Sequence, residues 1–487
     1  MHTIDLIVFL LFTAGVVFLG ASFWRKKASA DDFTSASSSL PGWVVGMSIF
    51  STYVSSISYL GYPGKAYDSN WNAFVFSLSI PIASWVAARY FVPFYRHQVS
   101  VSAYAFLEER FGRWARWYAS GCYLLTQIAR IGSIMFLLAL PMNVLLGWDI
   151  RMIIILTSIG IILYSMLGGV RGVIWADAIQ GIVMIGGAIT CLCILLFSMP
   201  GGAEESLSIA WENGKFSLGS FELMNLSEST FWVCLVYGVF INLQNYGIDQ
   251  NYVQRYHAAK DGRAARFSAL FGGYLFIPVS AIFFLIGTAL YSYYTTFPSM
   301  LPAGGTKGDY VFPFFIVNQL PVGITGLLIA SIFAAGMSTV STSINSAATV
   351  IMSDYYLPFS PQASERRKMR VLRLASLAIG VLGIVVSLAL VNVESILDAW
   401  WKLSSIFSGG MLGLFLLGFM SQKVRNVDAA VGVVCGVIVI GWISADTWLG
   451  LPETGIHEYL AIVFGTITIF LVGFLLARLL PRHSSRD

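Results

Sequence analysis

Charged residues are scarce in this chain. Asp, Glu, Lys and Arg make up 11% of the 487 residues, whereas 57% are apolar and the mean hydropathy is +0.74. Soluble domains carry about 25% charged residues. The composition therefore excludes an ordinary soluble domain and predicts an integral membrane protein surrounded by a lipid bilayer.

Motifs of enzymes and of ATP-driven machines are also lacking. The sequence has no G-x-x-x-x-G-K-[ST], G-x-S-x-G or H-E-x-x-H, and its five histidines fall in loops or tails. The five cysteines lie in or beside apolar runs, where small buried side chains are expected rather than disulfides. We therefore expect neither an enzyme nor a nucleotide-binding module, and the net charge of +4 gives no reason to expect a nucleic-acid partner.

The chain is rich in apolar runs long enough to cross about 30 Å of hydrocarbon. They predict an all-α integral membrane protein with about thirteen transmembrane helices. The predicted spans are 4–24, 42–62, 71–95, 117–146, 151–168, 173–199, 229–251, 266–293, 322–353, 371–391, 396–420, 428–447 and 457–480.

The basic residues sort by side when the N-terminus is placed outside and the C-terminus in the cytoplasm. On that assignment 22 of the 29 basic residues fall on the cytoplasmic side, Arg255 among them, and 4 fall outside. This distribution agrees with the positive-inside rule. The loops 200–228 and 294–321 are short of domain size, so residues 1–487 are expected to form a single membrane domain.

A polar stripe interrupts the ninth span. Ser338, Ser341, Thr342 and Asn345 recur at the spacing of one helix face, with Thr339 beside them. Neutral oxygens of this kind suit a small hard cation such as sodium. Serine and threonine also join membrane helices or bond their own backbone, so the segment alone leaves both interpretations open.

Ionisable residues inside spans are costly and mark candidate functional sites. Arg130 could bind the carboxylate of a solute, or it could bond internally to an acid or to unwound backbone. Asp177 could be a cation ligand or could orient the junction between the fifth and sixth spans. Asp398 and Lys402 lie one turn apart, where a mutual ion pair is favoured over a role for Lys402 at a gate or substrate wall.

Two spans carry polar interruptions, the second within residues 51–64 and the seventh within residues 242–250. Such breaks expose backbone carbonyls to an ion or solute, and matching breaks point to the midplane site of a transporter. Because the two spans are five apart in order, they predict two five-helix repeats of opposite topology, at about 42–199 and 229–420.

Motifs that share one family pattern are spread from about Val8 to Arg478. They are D-D-F-T at 31–34, P-G-W-V-V-G-M-S-I-F-S-T-Y-V-S-S-I-S at 41–58, Y-S-M-L-G-G-V-R-G-V-I-W-A-D-A-I-Q-G at 164–181, D-Q-N-Y-V-Q-R-Y at 249–256, L-P-A-G-G at 301–305 and F-A-A-G-M-S-T-V-S-T-S-I-N-S at 333–346. The chain thereby resembles the sodium:solute symporter family, carriers of the LeuT-type fold that include sodium/glucose, sodium/proline and bacterial sialic acid symporters.

This resemblance implies a LeuT-type 5+5 inverted repeat with one extra N-terminal and two extra C-terminal helices. It implies one or two Na⁺ ions as cofactors. The implied main sodium ligands are the carbonyls of Ser51, Val54 and Ala335 and the hydroxyls of Ser338 and Thr339. A second sodium site, by similarity to the sialic acid symporters, would use Asp177, Ser338, Ser341 and Thr342.

The resemblance also places Arg130 where sialic acid symporters bind the carboxylate of their solute. The chain departs from their pocket at Tyr53, Ala73 and Ser77, which stand where those proteins have a small hydroxyl residue, an aromatic and a glutamine. The implied substrate-binding positions are Tyr53, Ser55, Ser58, Ala73, Ser77, Arg130, Asn242, Asn245, Trp401 and Lys402.

These features predict secondary active, sodium-coupled symport of a small organic solute by alternating access, with an anionic sugar acid or carboxylate as the solute. A sodium-coupled neutral sugar symporter is the first alternative. A sodium channel or sensor that keeps the fold is the second, and the sequence shows no kinase or signalling domain that would favour a sensor. The expected location is the inner membrane of a bacterium; the oligomeric state stays open, with a monomer as the simplest case.

Overall fold

The computed structural model describes residues 2–22, 34–97, 102–302, 307–445 and 452–479. Asp31–Phe33 of D-D-F-T, the basic run Arg25–Lys27 and Ala303–Gly305 of L-P-A-G-G lie outside these ranges. Within them the chain is helical, and the β contact present is an isolated bridge between Leu40 and Ala259. The all-α class predicted from the sequence is confirmed.

Helices in the first half of the chain build the first break and the long spans that follow it. They are α1 (Thr3–Ser22), α2 (Gly42–Tyr53), α3 (Tyr62–Asp68), α4 (Val75–Leu78), α5 (Ile80–Val86), α6 (Val92–His97), α7 (Ala105–Phe111), α8 (Arg113–Leu146), α9 (Ile150–Phe197) and α10 (Gly202–Glu212). π-Helical turns at Ile57–Gly61 and Ala87–Phe91 lead into α3 and α6.

Helices in the second half contain the second break and the polar stripe. They are α11 (Phe231–Ile248), α12 (Gln250–Ala258), α13 (Gly262–Thr296), α14 (Gly308–Gln319), α15 (Ile324–Val350), α16 (Glu365–Ala389), α17 (Ile396–Met420), α18 (Asn426–Ala445) and α19 (Ala461–Leu479). A π-helical turn at Ile351–Tyr356 extends α15.

The apolar helices lie where the hydropathy of the sequence predicts spans. Ten in the described ranges are long and apolar enough to cross a membrane, or eleven if the bent pair Gly42–Tyr53 and Ile57–Asp68 is one span. The shorter apolar segments Thr3–Val16 and Ile150–Leu163 match the remaining predicted positions.

The fifth and sixth predicted spans are joined without the expected loop. Helix α9 continues through Gly168 and Gly169 as one run of 48 residues. Glycine weakens a helix, but unlike proline it keeps its backbone N–H donor, so the helical bonds can persist. At about 1.5 Å per residue, 48 residues correspond to about 72 Å of helix, which is more than a single crossing of about 30 Å requires.

Helix α15 is the most enclosed of the spans. Protein buries 89% of its apolar window, compared with 39% for the window of Glu365–Asn392. A helix surrounded by protein can carry polar side chains that would be costly in lipid. The burial of α15 therefore explains how the stripe around Ser338 is tolerated.

Helix α1 fixes the start of α15. Asp5 is buried, and its Oδ1 accepts hydrogen bonds from the backbone N–H groups of Gly323 (2.6 Å) and Gly326 (3.0 Å). A carboxylate at the N-terminal end of a helix accepts hydrogen bonds from free N–H groups and complements the helix dipole. A Cβ at Gly326 would lie 2.5 Å from the Asp5 carbonyl oxygen, so only glycine allows this contact.

Asp309 in α14 makes a comparable contact with the start of α17. Its Oδ2 accepts a hydrogen bond from the Ile396 N–H at 3.0 Å. Burial raises the pKa of Asp309 to about 6, and the charges of Asp68 and Asp398 add to the rise. The Ile396 N–H and the charge of Lys65 oppose it.

We expect Asp309→Asn to be more stable than the wild type at pH 7. With a raised carboxyl pKa the folded protein holds a proton that the unfolded chain, with a pKa near 4, releases, so wild-type stability should rise as the pH falls from about 6 to about 4. Asparagine cannot ionise and keeps an oxygen for the Ile396 N–H. Thermal unfolding midpoints at several pH values would measure the difference between the two proteins. Because Asp68 and Asp398 titrate in both, equal pH slopes would contradict the assignment to Asp309.

Candidate functional site

The site begins at the break between α2 and α3. Helix α2 ends at Tyr53, and Val54 takes an extended conformation with φ −75° and ψ 106°. Helical structure resumes at Ile57, with a bend of 57° between the two parts. The break turns backbone carbonyls of this segment away from the helical hydrogen-bond series, as a binding site at an interrupted helix requires.

The matching break lies between α11 and α12. It is centred on Asp249, which is extended and buried, and whose side chain accepts the N–H of Asn251 at 2.7 Å. The amide of Gln127 lies 3.3 Å from the Asp249 carboxylate. Both interruptions predicted from the sequence are therefore present.

The polar stripe of α15 faces the first break. Thr339 Oγ1 lies 3.1 Å from the Ala335 carbonyl oxygen and 3.5 Å from that of Thr52. Ser338 points to α9, where its hydroxyl donates to Asp177 Oδ1 at 2.6 Å. Ser51 also reaches α9, donating to the backbone carbonyl of Asp177 at 2.7 Å. Side chains from α2, α9 and α15 thus meet in one buried oxygen-rich cluster.

A glycine makes the contact of α2 with α9 possible. A Cβ at Gly181 would lie 2.3 Å from Ser51 Oγ and 2.9 Å from the Met47 side chain. Gly181 lies one turn after Asp177, so its missing side chain lets the break in the first core helix approach the Asp177 carboxylate. A substituted residue here would separate the two.

Asp177 is paired with a residue that sequence reasoning assigned elsewhere. The guanidinium of Arg255 in α12 donates to Asp177 Oδ2 and to Thr342 Oγ1, both at 2.7 Å. Both charged side chains are almost fully enclosed, with exposed fractions of 3% and 1%. Arg255, which charge counting placed in a cytoplasmic loop, therefore has its side chain inside the bundle, where a carboxylate and several oxygens satisfy it. Removing one partner of such a pair typically costs about 3–5 kcal/mol.

Next to the cluster lies a cavity between the broken helices and their neighbours. Its walls are largely aromatic and apolar, with hydroxyl, amide and guanidinium groups between them. The lining residues are Tyr53, Ser55, Ile57, Ser58, Tyr62, Phe76, Arg130, Tyr237, Ile241, Asn245, Leu397, Trp400, Trp401 and Ser404. An apolar cleft with a few convergent polar groups is the usual form of a small-molecule site.

Arg130 is the charged group of this cavity. It is 8% exposed, and one terminal nitrogen donates to the Thr52 carbonyl oxygen at 2.6 Å, at the end of α2. The internal bond to backbone that the sequence left open is therefore present, and Arg130 lines the cavity as well. One guanidinium thus touches both the broken helix and the space where a solute would bind.

Most of the chain matches one family. The model of the sodium:solute symporter family matches residues 33–436. The chain belongs to this family.

Individual relatives are similar along nearly the full symporter chain. The sodium/sialic acid symporter NanT of Aliivibrio fischeri is 32% identical over 100% of this chain and 95% of its own length. The sodium/sialic acid symporter SiaT of Proteus mirabilis is 34% identical over 94% of this chain and 93% of its own. A solved structure of a Na⁺-coupled sialic acid symporter, substrate-bound and outward-open, has a TM-score of 0.90 at 30% identity and covers 99% of this chain and 98% of its own. The symporter therefore has the LeuT-type fold of its family and functions as a sodium-coupled carrier of a small organic solute.

The symporter brings together part of the substrate set predicted from its sequence. Tyr53, Ser55, Ser58, Arg130, Asn245 and Trp401 line the cavity. The other four predicted positions, which are absent from the lining, are Ala73, Ser77, Asn242 and Lys402.

Two of the four positions outside the lining, Ser77 and Asn242, form hydrogen bonds with other side chains. Ser77 bonds the Ser280 hydroxyl at 2.7 Å, and Ala73 is buried. Asn242 accepts a hydrogen bond from the Tyr53 hydroxyl and thereby positions a lining residue. The cavity lining therefore gives no direct support for substrate binding by Ala73, Ser77 or Asn242.

The prediction of an ion pair between Asp398 and Lys402 is wrong. Asp398 pairs with Lys65 at 2.8 Å, and Lys402 pairs with Glu458. Both bonds reach helices distant in the chain, and the resulting contacts tie the start of α17 to α3 and to the segment before α19. Sequence spacing within one helix could not reveal these competing partners.

Aromatic walls are the main feature that sequence reasoning missed. Tyr62, Phe76 and Tyr237 line the cavity, and the Phe76 and Trp401 rings lie 4.9 Å apart. Aromatic residues are common in membrane helices, so their identity gave no signal. Of these three residues, only Tyr62 lies within a recognised feature, the polar interruption of the second span.

Proposed function

We propose that this symporter carries an anionic sugar acid or a related carboxylate together with sodium. The observation that supports this best is the buried Arg130 guanidinium on the wall of an aromatic cavity. A buried guanidinium that has spare donors is well suited to a carboxylate, because its fork matches the two oxygens. Ser58, Asn245 and Ser404 can bond hydroxyl groups of the same solute.

The relatives support the same substrate class. NanT and SiaT are sodium/sialic acid symporters, and both are similar over almost the whole chain. The tyrosine at position 53 fills part of the pocket, since its ring lies 4.6 Å from that of Phe276. We therefore expect a solute that resembles sialic acid, and Tyr53 shapes the cavity wall that this solute contacts.

A neutral sugar is the second candidate. The bond of Arg130 to the Thr52 carbonyl occupies one of its donors, and the rings of Tyr53 and Trp401 could stack on a sugar face. A thermal-shift screen of the purified protein in sodium should separate the two candidates. We expect sugar acids or monocarboxylates to stabilise the protein and to accumulate uphill in proteoliposomes under a sodium gradient. Stabilisation by neutral sugars alone would contradict the anionic solute.

For sodium, the proposed main site comprises the Ser51, Val54 and Ala335 carbonyls with the Ser338 and Thr339 hydroxyls. These groups are oxygens of the type that hard cations prefer. The break at Val54 and the hydrogen bond between Thr339 and Ala335 support their grouping. The proposed second site comprises Asp177, Ser338, Ser341 and Thr342, of which Ser338 and Asp177 are in direct contact.

Two sodium ions per solute are the expected coupling, and Asp177→Asn should lower the ratio to one. The neutral amide removes the single negative charge of the second site while leaving the main ligands in place. Parallel sodium and solute fluxes in proteoliposomes would measure the ratio. Asp149→Asn, at the exposed N-terminus of the same helix α9, is the matched control. A ratio of one in the wild type that Asp177→Asn leaves unchanged would remove the second site.

The arrangement in the membrane follows from charge. We place the protein in the inner membrane of a bacterium as a single transporter domain over residues 1–487, with the N-terminus outside and the C-terminus in the cytoplasm. The distribution of the basic residues other than Arg255 supports this orientation. Each proposed site lies within one chain, so a monomer is sufficient for transport.

A further inference from the structure

Arg255 holds oxygens that the proposed second sodium site would use. Two of the four proposed ligands, Asp177 and Thr342, accept hydrogen bonds from one terminal nitrogen of its guanidinium at 2.7 Å. A third, Ser338, donates to the other oxygen of the same carboxylate. A sodium ion at these ligands would therefore meet a cation that already contacts them.

The guanidinium is held in this position from several sides. Its Nε donates to Ser48 Oγ at 2.8 Å, and its other terminal nitrogen donates to the Asn251 carbonyl at 2.8 Å. Ser48 in turn donates to Asp177 Oδ2 at 2.6 Å. Arg255 is thus a cation held on the carboxylate by hydrogen bonds from several directions.

We propose that Arg255 is a tethered competitor of the second sodium ion, a role that rests on the second site proposed above. Sodium and the guanidinium compete for Asp177 Oδ2 and Thr342 Oγ1, and binding of the ion requires Arg255 to withdraw. Arg255 thereby sets the sodium concentration at which the second site fills.

Withdrawal of Arg255 would act on the two broken helices together, at the ends that meet near Leu40 and Ala258. Arg255 lies in α12, and the chain after α12 is joined to the residue before α2 by hydrogen bonds between Leu40 and the Ala258–Lys260 segment. Asp177 and Thr342 belong to α9 and α15. Exchange of guanidinium for sodium therefore releases a bond between α12 and these two helices, and links ion binding to helix movement.

The test is a sodium titration of the purified full-length protein, followed by thermal unfolding, with choline replacing sodium at constant ionic strength. Removing the competitor should raise the apparent affinity of the second ion, so Arg255→Gln should lower its half-saturating concentration by about fivefold or more. Ser48→Ala, which loosens Arg255 but removes no proposed sodium ligand, should lower it by about twofold. Arg255→Lys, which keeps the charge but cannot form the same fork, should lie between the wild type and Arg255→Gln.

Controls separate this proposal from the second site itself. Ser343→Ala, on the same helix α15, removes a buried hydroxyl with no hydrogen-bond partner in the described part of the chain, and should not change the titration. If Asp177→Asn abolishes the second ion while Arg255→Gln and Ser48→Ala leave its half-saturation unchanged or raised, competition by Arg255 is refuted. If Asp177→Asn has no effect on sodium binding, the second site fails and the competition with it. Should Arg255→Gln not fold, the Ser48→Ala titration decides, because that change removes only a small hydroxyl.

Discussion

Ser338→Ala is expected to raise the sodium concentration for half-maximal uptake more than any other single change in the polar stripe. Ser338 is fully buried, belongs to both proposed sodium sites and donates to Asp177 at 2.6 Å. Loss of a hydrogen bond or ligand involving a charged group costs about 1.5–3 kcal/mol, which corresponds to roughly 10- to 100-fold in affinity. Sodium-dependent solute uptake in proteoliposomes would measure this shift.

Two further variants show how the effect of Ser338→Ala on sodium dependence should be interpreted. Thr339→Ala removes a ligand proposed for the main site alone, so it should raise the half-maximal sodium concentration without changing the coupling ratio. Ser343→Ala, with its unpartnered hydroxyl in the described structure, should behave as the wild type. Unchanged sodium dependence in both Ser338→Ala and Thr339→Ala would mean that the stripe only packs against neighbouring helices.

Arg130→Ala is expected to abolish high-affinity uptake of an anionic solute. Truncating one member of a buried charged pair costs about 2–5 kcal/mol, or roughly 30- to 5,000-fold in affinity. Arg130→Lys keeps a positive charge but not the planar fork, and should recover part of the lost affinity. Uptake as a function of solute concentration at saturating sodium would give the change in KM.

The hydrogen bond from Arg130 to the Thr52 carbonyl gives a second reason why Arg130→Ala could reduce uptake. If Arg130 only holds the end of α2, the variant should lose sodium affinity, since the neighbouring Ser51 and Val54 carbonyls would move. A solute-binding role instead raises KM for the anion and leaves the sodium dependence nearly unchanged. Arg89→Ala, on an exposed side chain beside the Tyr90 ring, is the matched arginine control. Equal effects of Arg130→Ala on anionic and neutral solutes would refute carboxylate recognition.

Local patterns were sufficient for the elements of the site. The polar run within 51–64 predicted the break that the structure has at Val54, and the spacing of Ser338, Ser341 and Thr342 placed these hydroxyls on one face of a helix that the structure buries all round. Hydropathy alone placed the spans, because a chain that crosses lipid must satisfy its backbone polar groups within a helix and present apolar side chains to the lipid. These features depend on near neighbours in the chain, so the sequence expresses them directly.

Pairing between distant helices was not predictable in the same way. Arg255 follows the seventh span, where charge counting places it in the cytoplasm, yet it bonds Asp177, 78 residues earlier in the chain. Lys402 and Asp398 have the spacing of a mutual ion pair, but Lys402 pairs with Glu458 and Asp398 pairs with Lys65. A charged side chain takes whichever partner packing brings within reach, and no local pattern encodes that choice.

The sequence by itself determined that this chain is a helical membrane carrier with two broken spans and a sodium-compatible stripe. Hydrophobic length, charge distribution and helical period are sufficient for the helices and the stripe, whereas the carrier function was inferred from the broken spans and the resemblance to the sodium:solute symporter family. Only the tertiary structure decided that Ser338 contacts Asp177, that Arg255 occupies the same carboxylate, and that aromatic rings wall the cavity beside Arg130. Those contacts join helices far apart in the chain, and their geometry is set when the helices pack.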